Sequence, residues 1–116
     1  MSPTVLLLVT SDPRTSPRPA EAIRIAAGVG TWKKATVLLY LHGPAVLSLS
    51  EFADELVDED NFNRYLPILR DLGHPVHVEE GSSYLAELGE TPVPYQQTGT
   101  TALATLLGNA TAILRF

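Results

Sequence analysis

A chain of 116 residues, 45% of them apolar, is one domain (residues 1–116) long enough to bury about two-thirds of its unfolded surface. Its formal net charge of −5 lacks the basic face that general nucleic-acid binding requires. The absence of cysteine excludes a disulfide, a thiolate nucleophile, an iron–sulfur cluster and a cysteine zinc site.

The first predicted strand is Thr4 to Thr10, an apolar run stopped by Ser11-Asp12-Pro13. It is too short for a signal or membrane segment, and Met1-Ser2-Pro3 ahead of it has no basic residue. The expectation is a soluble cytoplasmic protein without a membrane partner. Asp12 to Pro19 is a turn-rich loop, stiffened by Pro13, Pro17 and Pro19. A helix is predicted from Pro19 to Ala27, with proline and Glu21 suited to its first turn. Its apolar face is Ala22, Ile23, Ala26 and Ala27, and Gly28 and Gly30 are its expected stops. Trp32-Lys33-Lys34 reads as a solvated turn into the next strand.

That strand, Val37 to Leu41, lies within Thr36 to Pro44 and is ended by His42-Gly43-Pro44. An unbroken apolar run bounded by a turn signal reads as a strand buried on both faces, central in a parallel sheet. Leu49, Phe52, Ala53, Leu56 and Val57 then keep helical spacing, with Ser48 and Glu51 as a capping box. Asp58-Glu59-Asp60 reads as a solvated acidic break rather than a metal-binding loop. A second main helix covers Phe62 to Leu72, with Phe62, Tyr65, Leu66, Leu69 and Leu72 inward. Pro67 within it implies a regular start near Leu66, or a kink. Gly73 stops that helix, and Pro75 to Glu80 is the third strand. Ser82 caps a short helix from Ser83 to Leu88, ended by Gly89. Thr91 to Gln97, with Pro92 and Pro94, is a loop or edge strand. Thr98 or Thr100 caps a last helix that turns Ala102, Leu103, Leu106 and Leu107 to the core and ends at Gly108. Thr111 to Phe116 is the closing strand.

Strands alternating with helices predict an α/β fold, three-layer and doubly wound, with a mostly parallel sheet and helices on both faces. Right-handed crossovers place the ends of the first three strands on one rim, where ligands gather in such sheets.

Four segments carry a family likeness: Ala22-Ile23-Arg24-Ile25-Ala26-Ala27, Val37 to Val46, Leu69 to Val78, and Leu103 to Phe116. Together they resemble the DsrE/DsrF-like family of small sulfur-relay proteins, in the alanine-rich first helix, the second strand with its turn, the approach to the sulfur site, and the terminal helix and strand. The resemblance implies a doubly wound domain with a five-stranded sheet, assembled as a homotrimer or homohexamer. In sulfur-transferring members a cysteine after the third strand carries a persulfide. Here Glu80 stands nearest that position, and neither a carboxylate nor a serine hydroxyl can carry a sulfane sulfur.

Three constellations are candidates for chemistry. His42 with Glu79 or Glu80 could form a catalytic or metal-holding pair; strand alternation lets only one carboxylate face His42 readily. The plainer reading is a rim ion pair or subunit contact, and His77 reads as a structural histidine. The candidate catalytic residues are His42 and Glu80, with no nucleophile or third metal ligand evident. The loop Ser11-Asp12-Pro13-Arg14-Thr15-Ser16-Pro17-Arg18 could bind a small anion at a helix start, without a glycine-rich nucleotide fingerprint. Pro94-Tyr95-Gln96-Gln97-Thr98 could line a pocket mouth or an interface. The ligand-binding set is therefore Ser11, Asp12, Arg14, Arg18, Gly43, Gly81, Ser82 and Tyr95, with no metal and no cofactor expected. The leading expectation is a non-catalytic oligomeric module binding a small anionic ligand or a protein partner. The alternative is a sulfur-relay accessory or enzyme using His42 and Glu80 with a partner thiol or bound metal. A third reading, a purely structural subunit of a mixed family complex, predicts association with a cysteine-bearing paralogue.

Overall fold

A computed structural model describes residues 3–73 and 76–116. The predicted start of the third strand at Pro75, and the residues before Pro3, lie outside this set. Five parallel strands form one sheet in the order β4-β3-β2-β1-β5. They are β1 (Thr4–Val9), β2 (Thr36–Leu41), β3 (Val76–Glu79), β4 (Tyr95–Thr98) and β5 (Ala112–Arg115). The helices are α1 (Arg18–Trp32), α2 (Glu59–Asp71) and α3 (Thr100–Asn109). No helix among the described residues is long and apolar enough to cross a membrane.

Strand alternation divides the apolar residues between two layers. Leu7 and Val9 of β1, Leu39 and Leu41 of β2, and Val76 and Val78 of β3 join Ile23 and Ala26 of α1 and Phe62 and Leu66 of α2 in the main core. Leu6, Tyr40 and His77 point to the opposite face, which α3 covers after the chain crosses back from β4 to β5. The last strand pairs with β1, so β5 is an edge.

Several local expectations give way to packing. α1 runs through both glycines and ends at Trp32, where Lys33 takes the left-handed cap expected of glycine (φ 61°, ψ 18°). Gly30 has a packing reason, because a Cβ there would stand 2.6 Å from Leu72 Cδ1. The helix predicted around Leu49 to Val57 is instead two short 3-10 segments, Gly43–Leu49 and Ala53–Glu55. Ala45, Val46, Leu47 and Leu49 are buried in succession, so the segment is embedded all round rather than along one face, and Phe52 is 50% exposed. No capping box forms. The amide of Phe52 donates to Ser50 Oγ at 2.9 Å, while Ser48 is fully buried with its hydroxyl unpaired.

The acidic break is the start of α2. Asp58 bends in the left-handed region (φ 57°, ψ 47°), and Glu59 and Asp60 fill the first turn, where carboxylates suit the helix dipole. The helix continues through Pro67, which forfeits a bond to the carbonyl of Asn63. Asn63 is exposed, so water can satisfy that oxygen. Ser82 does cap the 3-10 segment Ser83–Glu87, accepting from the amide of Tyr84 at 3.2 Å.

α3 departs furthest from expectation. Its N-cap is Gly99, not either threonine, and it buries none of its residues. Ala102 is exposed, and Leu103, Leu106 and Leu107 are only half-buried. Every residue of β5 is exposed. One ten-residue helix is too short to cover its whole face of a five-stranded sheet.

Candidate functional site

The carboxyl ends of β2, β3 and β4 and the start of α3 enclose a cleft of about 280 Å³. Its central contact follows from register. Tyr40 pairs with His77 and Leu41 with Val78, so the next pair along is His42 beside Glu79, facing the α3 side. Glu79 Oε2 lies 3.0 Å from His42 Nδ1, and Glu79 Oε1 accepts weakly from the amide of Gly43 at 3.4 Å. A carboxylate only accepts, so Nδ1 carries the proton of that contact and Nε2 is left as the free nitrogen. The backbone fixes His42 as well, its amide donating to the carbonyl of Val9 at 2.9 Å.

Tyr40 lies behind the pair, its ring centroid 6.5 Å from that of His42. Burial, then the nearby Glu79 charge, pushes its phenol above the usual range. One layer deeper, His77 Nδ1 and Thr98 Oγ1 are 2.8 Å apart and both residues are buried. Burial holds His77 below the ordinary histidine value, so its neutral form is favoured.

Glu80 occupies the turn after β3 and reaches the cleft from another direction. Its carboxylate stands over Gly99, where a Cβ would approach Oε2 to 2.3 Å. Of the two adjacent carboxylates it is therefore Glu79 that engages His42. Among the described residues no three acidic or histidine side chains are grouped closely enough to hold a metal ion.

The other predicted residues are distributed rather than gathered. Asp12 accepts from the amide of Arg14 at 2.9 Å and pairs with its guanidinium at 2.9 Å. That hydrogen-bonded guanidinium draws the Asp12 carboxyl below its usual range. Arg14 also lies over the ring of Tyr84, 5.9 Å from its centroid. Arg18 Nη2 donates to the carbonyl of Arg115 at 3.0 Å, and Ser11 Oγ to that of Phe116 at 3.0 Å. The loop's polar groups thus tie it together and hold the end of β5. Gly43 adjoins the cleft through Glu79, whereas the amide of Gly81 donates to Gln97 Oε1 and Ser82 is occupied as a cap. Tyr95 opens β4 beside Val76, at the opposite rim of the sheet.

Tyr40 is absent from the site residues read from the sequence, and Thr98 enters there only as the end of the Pro94–Thr98 segment. Their signal is the parallel register, which sets Tyr40 beside His77 and Thr98 beside Glu79. A single sequence does not display that register.

The model of the DsrE/DsrF-like family matches residues 4–116. The chain belongs to the DsrE/DsrF-like family. Among solved structures it is similar to the crystal structure of the YchN protein from E. coli, with a TM-score of 0.76 and 18% identity over 100% of both chains. At that identity the likeness is one of fold. A search of curated proteins found no match. This DsrE-like chain keeps the family fold with a carboxylate–histidine pair and no thiol on its strand-end rim.

Proposed function

We propose that this DsrE-like chain is a non-catalytic, self-assembling module that covers α3 and β5 with further copies of itself. The observation that carries this reading is a long uncharged surface. From Thr91 to Leu114 the chain contains no Asp, Glu, Lys, Arg or His. α3 and most of β5 lie in that stretch, and Ile113 and Leu114 are 41% and 43% exposed. Elsewhere an acidic protein repels its own copies; here there is no like charge to oppose contact. Depletion of charge around exposed leucines is the composition of an interface centre. The family resemblance suggests three or six copies.

The anionic-ligand version of the module draws less support. Arg14 and Arg18 are already used within the chain, and the cleft at the strand ends carries Glu79 and Glu80. A second reading rests on the His42–Glu79 contact, which engages Nδ1 and leaves Nε2 as the base for a partner's thiol. It uses Glu79 as the orienting carboxylate in place of Glu80. Loss of turnover in a reconstituted sulfur-transfer assay on His42→Ala would support it; unchanged turnover would remove it.

Assembly is tested by light scattering over a concentration series. Leu106→Glu puts an unpaired charge on the uncovered helix and should shift the protein to monomer with its circular dichroism intact. An unchanged assembly in both Leu106→Glu and Ile113→Glu would contradict the reading.

A further inference from the structure

A mostly apolar concavity lies away from the rim, at the other end of the sheet. It is a cavity of about 290 Å³ between the last turns of α1 and α2 and the first residues of β2 and β3. That is the small end of the range of about 300–1,000 Å³ typical of ligand pockets. Its walls include Ala26, Ala35, Val37, Leu69, Leu72 and Val76, and Lys33 is its lining cation. No carboxylate side chain lines it among the described residues.

Two features of the chain keep it open. Ala26 and Ala35 present methyl groups where larger side chains would fill the space. Gly30 lets Leu72 Cδ1 lie against α1, at a distance of 2.6 Å from where a Cβ would be. Lys33 joins the lining where it caps α1 in the left-handed conformation and turns the chain toward β2. Its neighbour Lys34 is directed elsewhere, over the ring of Trp32 at 5.6 Å.

We infer that this cavity is a second binding site, for a small amphiphilic carboxylate whose hydrocarbon part enters the apolar walls and whose carboxylate meets Lys33. Apolar surface supplies the affinity, and Lys33 sets the choice of acid over alcohol. The acidic rim cleft, with Glu79 and Glu80 at its wall, offers the opposite electrostatic setting.

The test titrates the full chain with octanoate and, separately, with 1-octanol, following backbone amide NMR signals. Saturable shifts should appear at Gly30, Lys33, Ala35, Val37 and Leu72, with octanoate bound more tightly than octanol. Lys33→Met should weaken octanoate about two- to fivefold, the scale of an exposed ion pair, and leave octanol unchanged. Gly30→Ala favours helix and so preserves folding, while its methyl displaces Leu72 and should weaken both probes. Shifts confined to α3 and β5, an absence of saturation, or a Lys33→Met variant with undiminished preference for octanoate would overturn the proposal. So would undiminished binding of both probes by Gly30→Ala.

Discussion

His42 and His77 lie on the same side of the sheet but in different media. His42 is half-exposed at the rim against Glu79; His77 is buried on β3, hydrogen-bonded with Thr98. Burial lowers the folded-state pKa of His77 below the value of about 6.5 expected in the unfolded chain. The unfolded chain then takes up a proton that the folded protein resists. His77 contributes stability that is present above about pH 6.5 and is lost as pH falls below it. Urea midpoints between pH 7.5 and pH 5.5 should fall more steeply for the wild type than for His77→Gln. Parallel slopes would show that His77 is not the group being titrated. Gly28 offers a second test at this scale. It lies within α1, and a Cβ there meets nothing within 4 Å. Gly28→Ala should raise stability by about 0.5–1 kcal/mol in urea unfolding, since alanine loses less backbone entropy in a helix. A loss of stability would mean that α1 needs its glycine for a reason other than space.

At the scale of elements, the clearest sequence signals are those that local chemistry fixes. The apolar runs of β1 and β2 and the Ser82 cap are present as expected because each rests on adjacent residues. The helix predicted over Leu49 to Val57 is absent because its residues divide between two short 3-10 segments, Leu49 closing the buried first one and Phe52 turning out to 50% exposure between them, a break that helical spacing alone does not reveal. α1 outran its glycine stops because packing against the core outweighs about 1 kcal/mol of propensity per glycine. The pairing of His42 with Glu79 needed register between two strands separated by α2, which no local pattern encodes. Pro67 provides a test of how α2 tolerates a missing bond. Pro67→Ala should stabilise the helix by about 1–3 kcal/mol, read from the urea midpoint. A destabilised variant would show that the ring's packing, not its missing donor, governs the position.

At the scale of the whole molecule, the two faces of the sheet are unequally covered. α1 and α2 bury one face together, with Ala22, Ile23, Phe62 and Leu66 almost wholly inaccessible. α3 alone stands on the other, buries none of its residues and carries no charge. The imbalance is the physical core of the assembly proposal, since a chain with net charge −5 has reason to place charge wherever it meets only water. The most direct measurement is native mass spectrometry of the purified chain at micromolar concentration. The account predicts masses at a multiple of the 12.5 kDa protomer, reverting to the single protomer for Leu106→Glu. A wild-type spectrum containing only the 12.5 kDa species would contradict it.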